Sequence, residues 1–326
     1  MIKRLFAPAI VACAILWCQS SYAQVMKVTL LGTGTPILNI NRFGISTLVE
    51  AGEQKLLFDA GRGAAIRLHQ ARVPLREISA IFLSLLNSDH LTGLPDIYAM
   101  AGLPVEDGRR AVPLEVWGPE GVQNVTSGIE RMLLDNNRMR LLQHEMTEEV
   151  THFNTHVVAE GKIYDKDGVS VIAFLLEHGD TKPDYGYRIS YKGHSVVITD
   201  DTAFHQNIID NGKGSDIIIQ SVAIASRALE KEDPKYVNHF YSFLANPEIV
   251  GKIFSEIKPN FAVLSHISLY SKGGIPRPTE QELSSRIAAI YPGPVVIGQD
   301  LMQFAIADDG VKTVPYSAER RNQEPQ

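Results

Sequence analysis

Short apolar runs alternate with amphipathic stretches along this chain, and many of the runs end in glycine-rich or polar segments. One run, Ala80 to Leu86, is followed by Asn87-Ser88-Asp89-His90 and then by Leu91 to Asp96. This order predicts a buried strand, a loop and the start of a helix. Comparable patterns recur in both halves of the chain, which predicts an α/β protein with sheets inside and helices outside.

The same criteria place further elements along the sequence. Strands are predicted over 25–31, 45–50, 54–58, 114–117, 169–176, 186–191, 195–199, 216–220, 261–265, 294–297 and 302–305, and helices over 62–71, 122–136 and 247–257. The segment 231–241 is predicted to be irregular. The turn 32–36 (GTGTP) is read as a tight turn rather than a phosphate cradle, because no Gly-Lys-Ser/Thr follows it.

The N-terminus is typical of an export signal. Lys3 and Arg4 precede an apolar run from Leu5 to Trp17, and a small-x-small site follows at Ser21-Tyr22-Ala23. We therefore expect cleavage after residue 23 and a periplasmic or secreted protein. An uncleaved anchor is the weaker alternative, because the run is shorter than the roughly 20 residues that span a bilayer. Lipid attachment at Cys18 is weaker still, because bulky Trp17 precedes it.

Composition narrows the chemistry. The chain has 326 residues, 44% of them hydrophobic and 21% charged, which indicates a globular protein. Its two cysteines, Cys13 and Cys18, lie in the predicted signal, so any metal in the mature chain must be held by His, Asp or Glu. Removing Lys3 and Arg4 moves the formal charge from −6 to −8. This acidity argues against a nucleic-acid substrate, which is bound through clustered Lys and Arg.

Residues 85–93, read as L-x-N-x-D-H-x-x-G, resemble the H-x-H-x-D-H signature of the metallo-β-lactamase superfamily, in its tRNase Z and arylsulfatase-like branch. The turn 32–36, the segment Phe58-Asp59-Ala60-Gly61 and the motifs 186–188 (GYR) and 264–268 (LSHIS) occur in the family's order. The resemblance covers roughly residues 28–306 and implies a four-layer αββα sandwich. It predicts a single domain over 24–316 with an insertion at about 104–161, followed by a polar tail over 317–326.

The resemblance also implies a ligand set. The second metal of the family would be held by the side chains of Asp89, His90, Asp201 and His266, and His178 would belong to the first metal with bridging Asp201. Asp59 would support the ligand loop through hydrogen bonds. Taken singly, each of these residues has an ordinary structural explanation, such as a helix cap, and Asp200 rather than Asp201 is an alternative inward-facing residue.

Three family positions have changed. Leu85 and Asn87 stand where two histidines would bind the first metal, and Leu244 stands where another histidine precedes the helix beginning after Asn246. The first site is therefore expected to be impaired and the second to be retained. One metal ion is expected, most simply Zn²⁺, with Mn²⁺ or Fe²⁺ as alternatives that the ligand types do not separate.

Two functional hypotheses follow. In the first, the protein is an exported hydrolase of a small ester substrate, such as a phosphodiester or sulfate ester; Asp89 accepts a proton from an activated water and His178 contacts the substrate or leaving group. In the second, it is a pseudoenzyme or binding protein that keeps the fold. An unrelated α/β binding protein is a third, weaker reading. The substrate and the oligomeric state are left open by the sequence.

Overall fold

The computed structural model describes residues 24–314, so the predicted signal and the predicted tail lie outside the described residues. The strands are β1 (Met26–Gly32), β2 (Ser46–Ala51), β3 (Gln54–Phe58), β4 (Ala80–Phe82), β5 (Leu114–Gly118), β6 (Phe153–Val157), β7 (Gly161–Lys166), β8 (Val169–Leu175), β9 (Tyr185–Tyr191), β10 (His194–Thr199), β11 (Ile217–Ala225), β12 (Phe261–Tyr270), β13 (Val295–Ile297), β14 (Gln303–Ala307) and β15 (Gly310–Val314). The helices are α1 (Ala64–Gln70), α2 (Ser88–Leu91), α3 (Leu94–Ala101), α4 (Val122–Met132), α5 (Leu134–Leu142), α6 (Gln206–Gly212), α7 (Arg227–Glu232), α8 (Pro234–Tyr241), α9 (Pro247–Ile257) and α10 (Glu280–Ala288).

The strands form two mixed sheets. The first has the order β15-β14-β1-β2-β3-β4-β5-β6, and the second has the order β13-β12-β11-β10-β9-β8-β7. In each sheet the central strands leading to the polar segments run parallel, namely β3, β4 and β5 in the first and β10, β11 and β12 in the second. Since parallel strands end at the same edge, their following loops meet there.

Alternate side chains of the strands fill three apolar layers. One layer lies between the sheets and joins residues such as Val28 and Phe82 to Tyr187 and Ile219. A second packs α1, α3 and α4 on the outer face of the first sheet, and a third packs α6, α9 and α10 on the outer face of the second. The predicted four-layer αββα sandwich is therefore confirmed.

Two local expectations differ from the structure. The segment 231–241 is not irregular, because Ser226 and Asp233 cap two short helices, α7 and α8, through hydrogen bonds to Leu229 N and Tyr236 N. Strand β12 continues past His266 to Tyr270 instead of ending at residue 265. Among residues 24–314, no helix has both the length and the apolar character required to cross a bilayer. The predicted domain bounds and the insertion at 104–161 stay predictions.

Candidate metal centre

Two of the predicted ligands lie on α2. The chain leaves β4 in an extended path, where Leu83 N donates to Trp117 O, and then turns into α2 with Asn87 at its N-cap. Helix α2 carries Asp89 and His90, and both side chains are buried. Strand β4 is shorter than the apolar run that predicted it, and the rest of that run forms the buried approach to the centre.

The other ligands come from the second sheet. Asp200 and Asp201 directly follow β10 and are buried. His266 lies inside β12 at a break in its register with β11, because Ser265 and Ile267 pair with consecutive residues of β11. The backbone of His266 has a φ of 45°. A bulge of this kind reorients one side chain, and such strained residues cluster at functional sites.

These side chains lie next to one another around His266. His266 Nε2 lies 3.1 Å from Asp89 Oδ2, and His266 Nδ1 lies 3.1 Å from Asp201 Oδ1. His90 Nε2 lies 3.7 Å from Asp89 Oδ2 and 3.8 Å from Asp201 Oδ2. Asp89, His90 and His266 form one group of ligand atoms within 4.8 Å of one another, and Asp200, Asp201 and His266 form another. Separations of 3 to 4 Å between donor atoms match ligands of a cation at about 2.0–2.2 Å. Asp89 and Asp201 approach different ring nitrogens of His266.

Several of these atoms lack hydrogen bonds. Within residues 24–314, His90 Nε2, Asp201 Oδ1 and His266 Nδ1 are buried without a hydrogen-bond partner, even though the last two are close together. Buried polar atoms are normally satisfied, and unmet ones point to an ion or water between them. The donor set of two carboxylates and two imidazoles suits a divalent transition metal. The residues present therefore fit the metal that the fold family uses.

The charges of the centre also suit a cation. Burial lowers the pKa of His266, but the Asp201 charge and the hydrogen bond with Asp89 outweigh it and raise this pKa to about 9. Burial also lowers the pKa of His90, but the charges of Asp200 and Asp59 outweigh it and raise this pKa. Burial raises the pKa of Asp89, yet the hydrogen bond from His266 and the charge of His90 hold it below its ordinary value. The site thus favours positive charge at its middle.

His178 lies on the other side of Asp201. Its Nδ1 is 3.0 Å from the Phe243 carbonyl, which only accepts, so Nδ1–H donates and Nε2 keeps its lone pair. This Nε2 is 3.8 Å from Asp201 Oδ2. His178 is thereby oriented toward Asp201. It belongs to none of the three groups of ligand-type residues, within the described part of the chain, whose ligand atoms lie within 4.8 Å of one another.

The carboxylates of Asp59 and Asp200 contact His90 at Nδ1, on the opposite side of the ring from Nε2. Asp59 accepts hydrogen bonds from Ser84 N and Ser84 Oγ at 2.9 and 2.8 Å, and its Oδ2 lies 3.2 Å from His90 Nδ1. Asp200 Oδ2 lies 3.3 Å from the same His90 nitrogen and accepts from Ser84 Oγ at 3.0 Å. Burial and the Asp200 charge raise the pKa of Asp59, whereas the His90 charge and hydrogen bonds outweigh burial and lower the pKa of Asp200. The pKa values of the two neighbouring acids are thus shifted in opposite directions.

None of the three changed positions has an imidazole: two are leucines, and the third is an asparagine with a neutral amide. The Leu85 side chain is fully buried, Asn87 is half-buried at the start of α2, and Leu244 is buried between α8 and α9.

The sequence did not predict Asp184 as a site residue, and it indicated Asp200 only as an alternative to Asp201. In the sequence, two consecutive acids at 200–201 could have indicated Asp200. An acid between Pro183 and strand β9 could have indicated Asp184.

Known proteins share this fold. The metallo-β-lactamase fold protein YhfI from Bacillus subtilis superimposes with a TM-score of 0.64 at 17% identity, over 85% of this chain and 98% of that one. The short form of human tRNase Z does so with a TM-score of 0.61 at 22% identity, over 86% and 99%. A protein of Mycobacterium sp. (strain KMS) named Ribonuclease Z is 27% identical over 282 residues, which are 86% of this chain and 96% of the relative.

The fold, the Ribonuclease Z relatives and the buried ligand-type residues place the chain in the metallo-hydrolase family of the metallo-β-lactamase fold. A family described as anti-Pycsar protein Apyc1 has a sequence model that matches residues 26–230. The chain belongs to that family.

The expectation about nucleic acid is wrong. It relied on the acidic total charge, but the relatives that match most of this chain are named Ribonuclease Z. Net charge describes the whole surface, whereas substrate binding depends on the local field at a site. An acidic total therefore does not exclude a nucleic-acid substrate.

Proposed function

We propose that the protein is a metal-dependent hydrolase of phosphodiester bonds. The observation that carries the proposal is the proximity of Asp89, His90, Asp201 and His266. Within residues 24–314, His90 Nε2, Asp201 Oδ1 and His266 Nδ1 are also buried without a hydrogen-bond partner. The name Ribonuclease Z of its relatives supports a phosphodiester among the ester classes. The substrate range under this proposal includes small phosphodiesters and RNA.

The retained centre is proposed to hold one Zn²⁺ through those four side chains. When bound, such an ion polarises the substrate and lowers the pKa of a coordinated water. Asp89 is ionised at neutral pH because its pKa is held low, so its carboxylate is available to accept a proton. His178 Nε2 lies 3.8 Å from Asp201 Oδ2 and is proposed to contact the substrate or its leaving group. Burial of the ligands excludes bulk water from the inner half of the centre.

A comparison of two histidine variants tests this proposal. The wild-type protein is expected to hydrolyse bis(4-nitrophenyl) phosphate, an RNA oligonucleotide, or both, and His266→Ala should lose bound zinc and at least about 100-fold in kcat/KM. His152→Ala is the matched control, since His152 is exposed on the segment before β6. Metal content is measured by elemental analysis and turnover by absorbance or gel electrophoresis.

The possible failures have different meanings. If the wild-type protein holds metal but hydrolyses neither phosphodiester, the proposed activity is wrong and the binding-protein hypothesis takes its place. If the wild-type protein holds no metal and remains stable, the metal centre itself is wrong. Equal loss in both histidine variants would mean that the assay reports folding rather than chemistry.

We also propose that residues 1–23 are a cleaved export signal. The proposal depends on the basic start, the apolar run and the Ser21-Tyr22-Ala23 site. Mass spectrometry of the protein isolated from its native cells should find a mature N-terminus at Gln24. An intact N-terminus on a protein confined to the cytoplasm would contradict the proposal.

A further inference from the structure

Residues 236–243 are rich in aromatic side chains. Four of these eight residues are Phe or Tyr, whereas 8% of the whole chain is aromatic. Phe240 and Phe243 are half-buried, yet neither belongs to any of the apolar clusters in the described part of the chain. Core packing therefore does not explain these two rings. Large apolar side chains grouped at a surface commonly mark a binding site.

These rings form an aromatic surface that ends at His178. Tyr270, four residues after His266 on β12, stacks on Phe240 with ring centroids 4.1 Å apart. The ring centroid of Phe243 lies 6.0 Å from that of Phe240 and 5.3 Å from that of His178. The carbonyl oxygen of Phe243 also lies 3.0 Å from His178 Nδ1. The aromatic surface therefore borders the histidine that is proposed to contact the substrate.

Phe243 differs from Phe240 in how its ring is contacted. The ring of Tyr270 lies nearly parallel to that of Phe240, at an interplanar angle of 24°. Three rings approach Phe243 edge-on, at interplanar angles between 63° and 84°, namely those of His178, His239 and Phe240. Of the three rings of the aromatic surface, Phe243 is thus the one that borders the centre and lacks a stacked partner among residues 24–314.

A second phenylalanine lies on the segment that follows Asp201. Phe204 is three residues after this ligand, and its side chain is 41% exposed. Ala245 N donates to Thr202 O at 2.7 Å, which places the two segments side by side. Phe204 and Phe243 are each two residues away from this hydrogen bond along their own segments. Two phenylalanines thus flank one backbone contact beside the metal centre.

We propose that Phe243 and Phe204 bind a nucleobase of the substrate, so that the protein acts on phosphodiesters that carry a nucleoside rather than on simple alkyl or aryl diesters. The inference deepens the proposed function, on whose centre it rests. Aromatic side chains bind bases by stacking, because every base has a π-face. Stacking itself requires no positive charge, which agrees with the formal net charge of −6. A base stacked on Phe243 places its phosphate on the side of His178, because the two rings are in contact.

A pair of chromogenic substrates tests the inference. Thymidine 5′-(4-nitrophenyl phosphate) and methyl 4-nitrophenyl phosphate release the same leaving group, but only the first carries a base. The wild-type protein loaded with Zn²⁺ should favour the thymidine ester by at least about 10-fold in kcat/KM. Phe243→Leu and Phe204→Leu should each lower that value by about 10-fold, mainly through a higher KM, and should leave the methyl ester within twofold.

Two further variants separate stacking from folding. Phe243→Tyr keeps an aromatic ring and should retain the wild-type preference for the thymidine ester. Phe261→Leu removes a half-buried phenylalanine at the opposite end of β12 from Tyr270 and should also retain this preference. The zinc content of Phe243→Leu should equal that of the wild type, because the backbone carbonyl beside His178 is unchanged.

Nucleotide binding provides a measurement that needs no turnover. Isothermal titration calorimetry with thymidine 5′-monophosphate should show an affinity that falls about 10-fold in Phe243→Leu. Cleavage of a short RNA, followed by gel electrophoresis, identifies the source of the base. A loss in Phe243→Leu on the thymidine ester alone assigns the site to mononucleotides, and a loss that includes the RNA assigns it to the polymer as well.

The outcomes separate the two proposals. Hydrolysis and nucleotide binding that are both independent of Phe243 and Phe204 overturn the inference and leave the proposed function standing. An equal loss on both esters in Phe243→Leu also overturns it, since the ring then supports His178 rather than a base. Binding of the nucleotide through Phe243 in a protein that hydrolyses neither esters nor RNA keeps the base site and refutes the proposed function.

A second copy of the chain is the competing occupant of the aromatic surface. Analytical ultracentrifugation of the wild type and Phe243→Leu measures this alternative. A changed oligomeric state in Phe243→Leu, together with unchanged nucleotide binding, would assign the surface to contacts between copies and refute the inference. An unchanged oligomeric state together with weaker nucleotide binding is the expected result.

Discussion

His90 shows how a single ring is fixed for coordination. Its Nδ1 faces Asp59 and Asp200 at 3.2 and 3.3 Å, while its Nε2 has no partner within residues 24–314. Carboxylate acceptors at Nδ1 favour the tautomer with hydrogen on that nitrogen. The Nε2 lone pair is thereby directed at the space shared with Asp89 and Asp201. Asp59 contacts His90 and Ser84, and its predicted role in supporting a metal ligand stays a prediction.

Replacing Asp59 by Ala should weaken metal binding by about 10- to 100-fold, because the ring of His90 and the Ser84 backbone lose a shared acceptor. The dissociation constant is measured by competition with a chromogenic chelator. Asp210→Ala, on the exposed side of α6, is the control and should bind metal like the wild type. If the metal affinity of Asp59→Ala is within twofold of the wild-type value, then Asp200 alone is sufficient to orient the ring of His90.

Gly61 and Gly93 allow the ligand helix α2 to pack closely against the segment after β3. Gly93 N donates to Ala60 O, and Ala60 N donates to His90 O. A methyl group on Gly93 would lie 2.2 Å from the Gly61 carbonyl oxygen. Close approach of two backbones, rather than an unusual dihedral angle, is therefore what requires glycine here. This contact sets the distance between Asp59 and the ligands on α2.

Gly93→Ala should lower the free energy of unfolding by about 1–3 kcal/mol, because the added methyl group forces two backbone segments apart. Gly128→Ala is the matched control, since a methyl group there meets nothing within 4 Å in the middle of α4. The control should be neutral or more stable by up to about 1 kcal/mol. Urea unfolding followed by circular dichroism measures both. Equal stability of the two variants would mean that the contact relaxes without cost.

The β9–β10 hairpin carries a pH-sensitive contact away from the centre. Hydrogen bonds of His194 with Asp308 and Asp216 outweigh burial and raise the pKa of His194. The protonated ring is favoured in the folded state, so its contribution is full below the unfolded pKa of about 6.5. The contribution is lost as the pH rises through the higher folded pKa.

The difference in unfolding free energy between wild type and His194→Gln should accordingly be largest near pH 5.5 and shrink toward pH 9. Denaturant titrations at several pH values measure this difference. Groups that titrate equally in both proteins do not contribute to it. Asp308→Asn should reduce the pH dependence without removing the Asp216 contact. A difference that is constant with pH, or that grows above pH 7, would contradict the assignment.

At the scale of the whole molecule, the centre links the two sheets. Asp89 and His90 follow a strand of the first sheet, and Asp201 and His266 belong to the second. A bound cation therefore joins two layers that otherwise meet through the apolar residues between them. Since the unfolded chain cannot assemble these ligands, binding adds to the stability of the folded state.

Saturation with Zn²⁺ at about 100 times its dissociation constant should stabilise the fold by about 2.7 kcal/mol. That gain corresponds to a rise of roughly 4–5 °C in the unfolding temperature for a chain of about 300 residues. Differential scanning calorimetry with and without chelator measures the rise. His266→Ala should show little of it, and a full rise in that variant would place the ion elsewhere.

The sequence by itself determined the α/β class, most strand positions and the order of the ligand-type residues, because these depend on local apolar patterns and on motifs at strand ends. Only the tertiary structure decided that His266 lies in a bulge inside β12 and that Asp59 and Asp200 both contact His90. It also decided that the Asp184 carboxyl group is buried without a hydrogen-bond partner among residues 24–314. These features arise from contacts between residues far apart in the chain. The two short helices that include residues 231–241 begin at the capping side chains of Ser226 and Asp233. The burial and geometry of a side chain are set by what packs against it, and no local pattern contains that information.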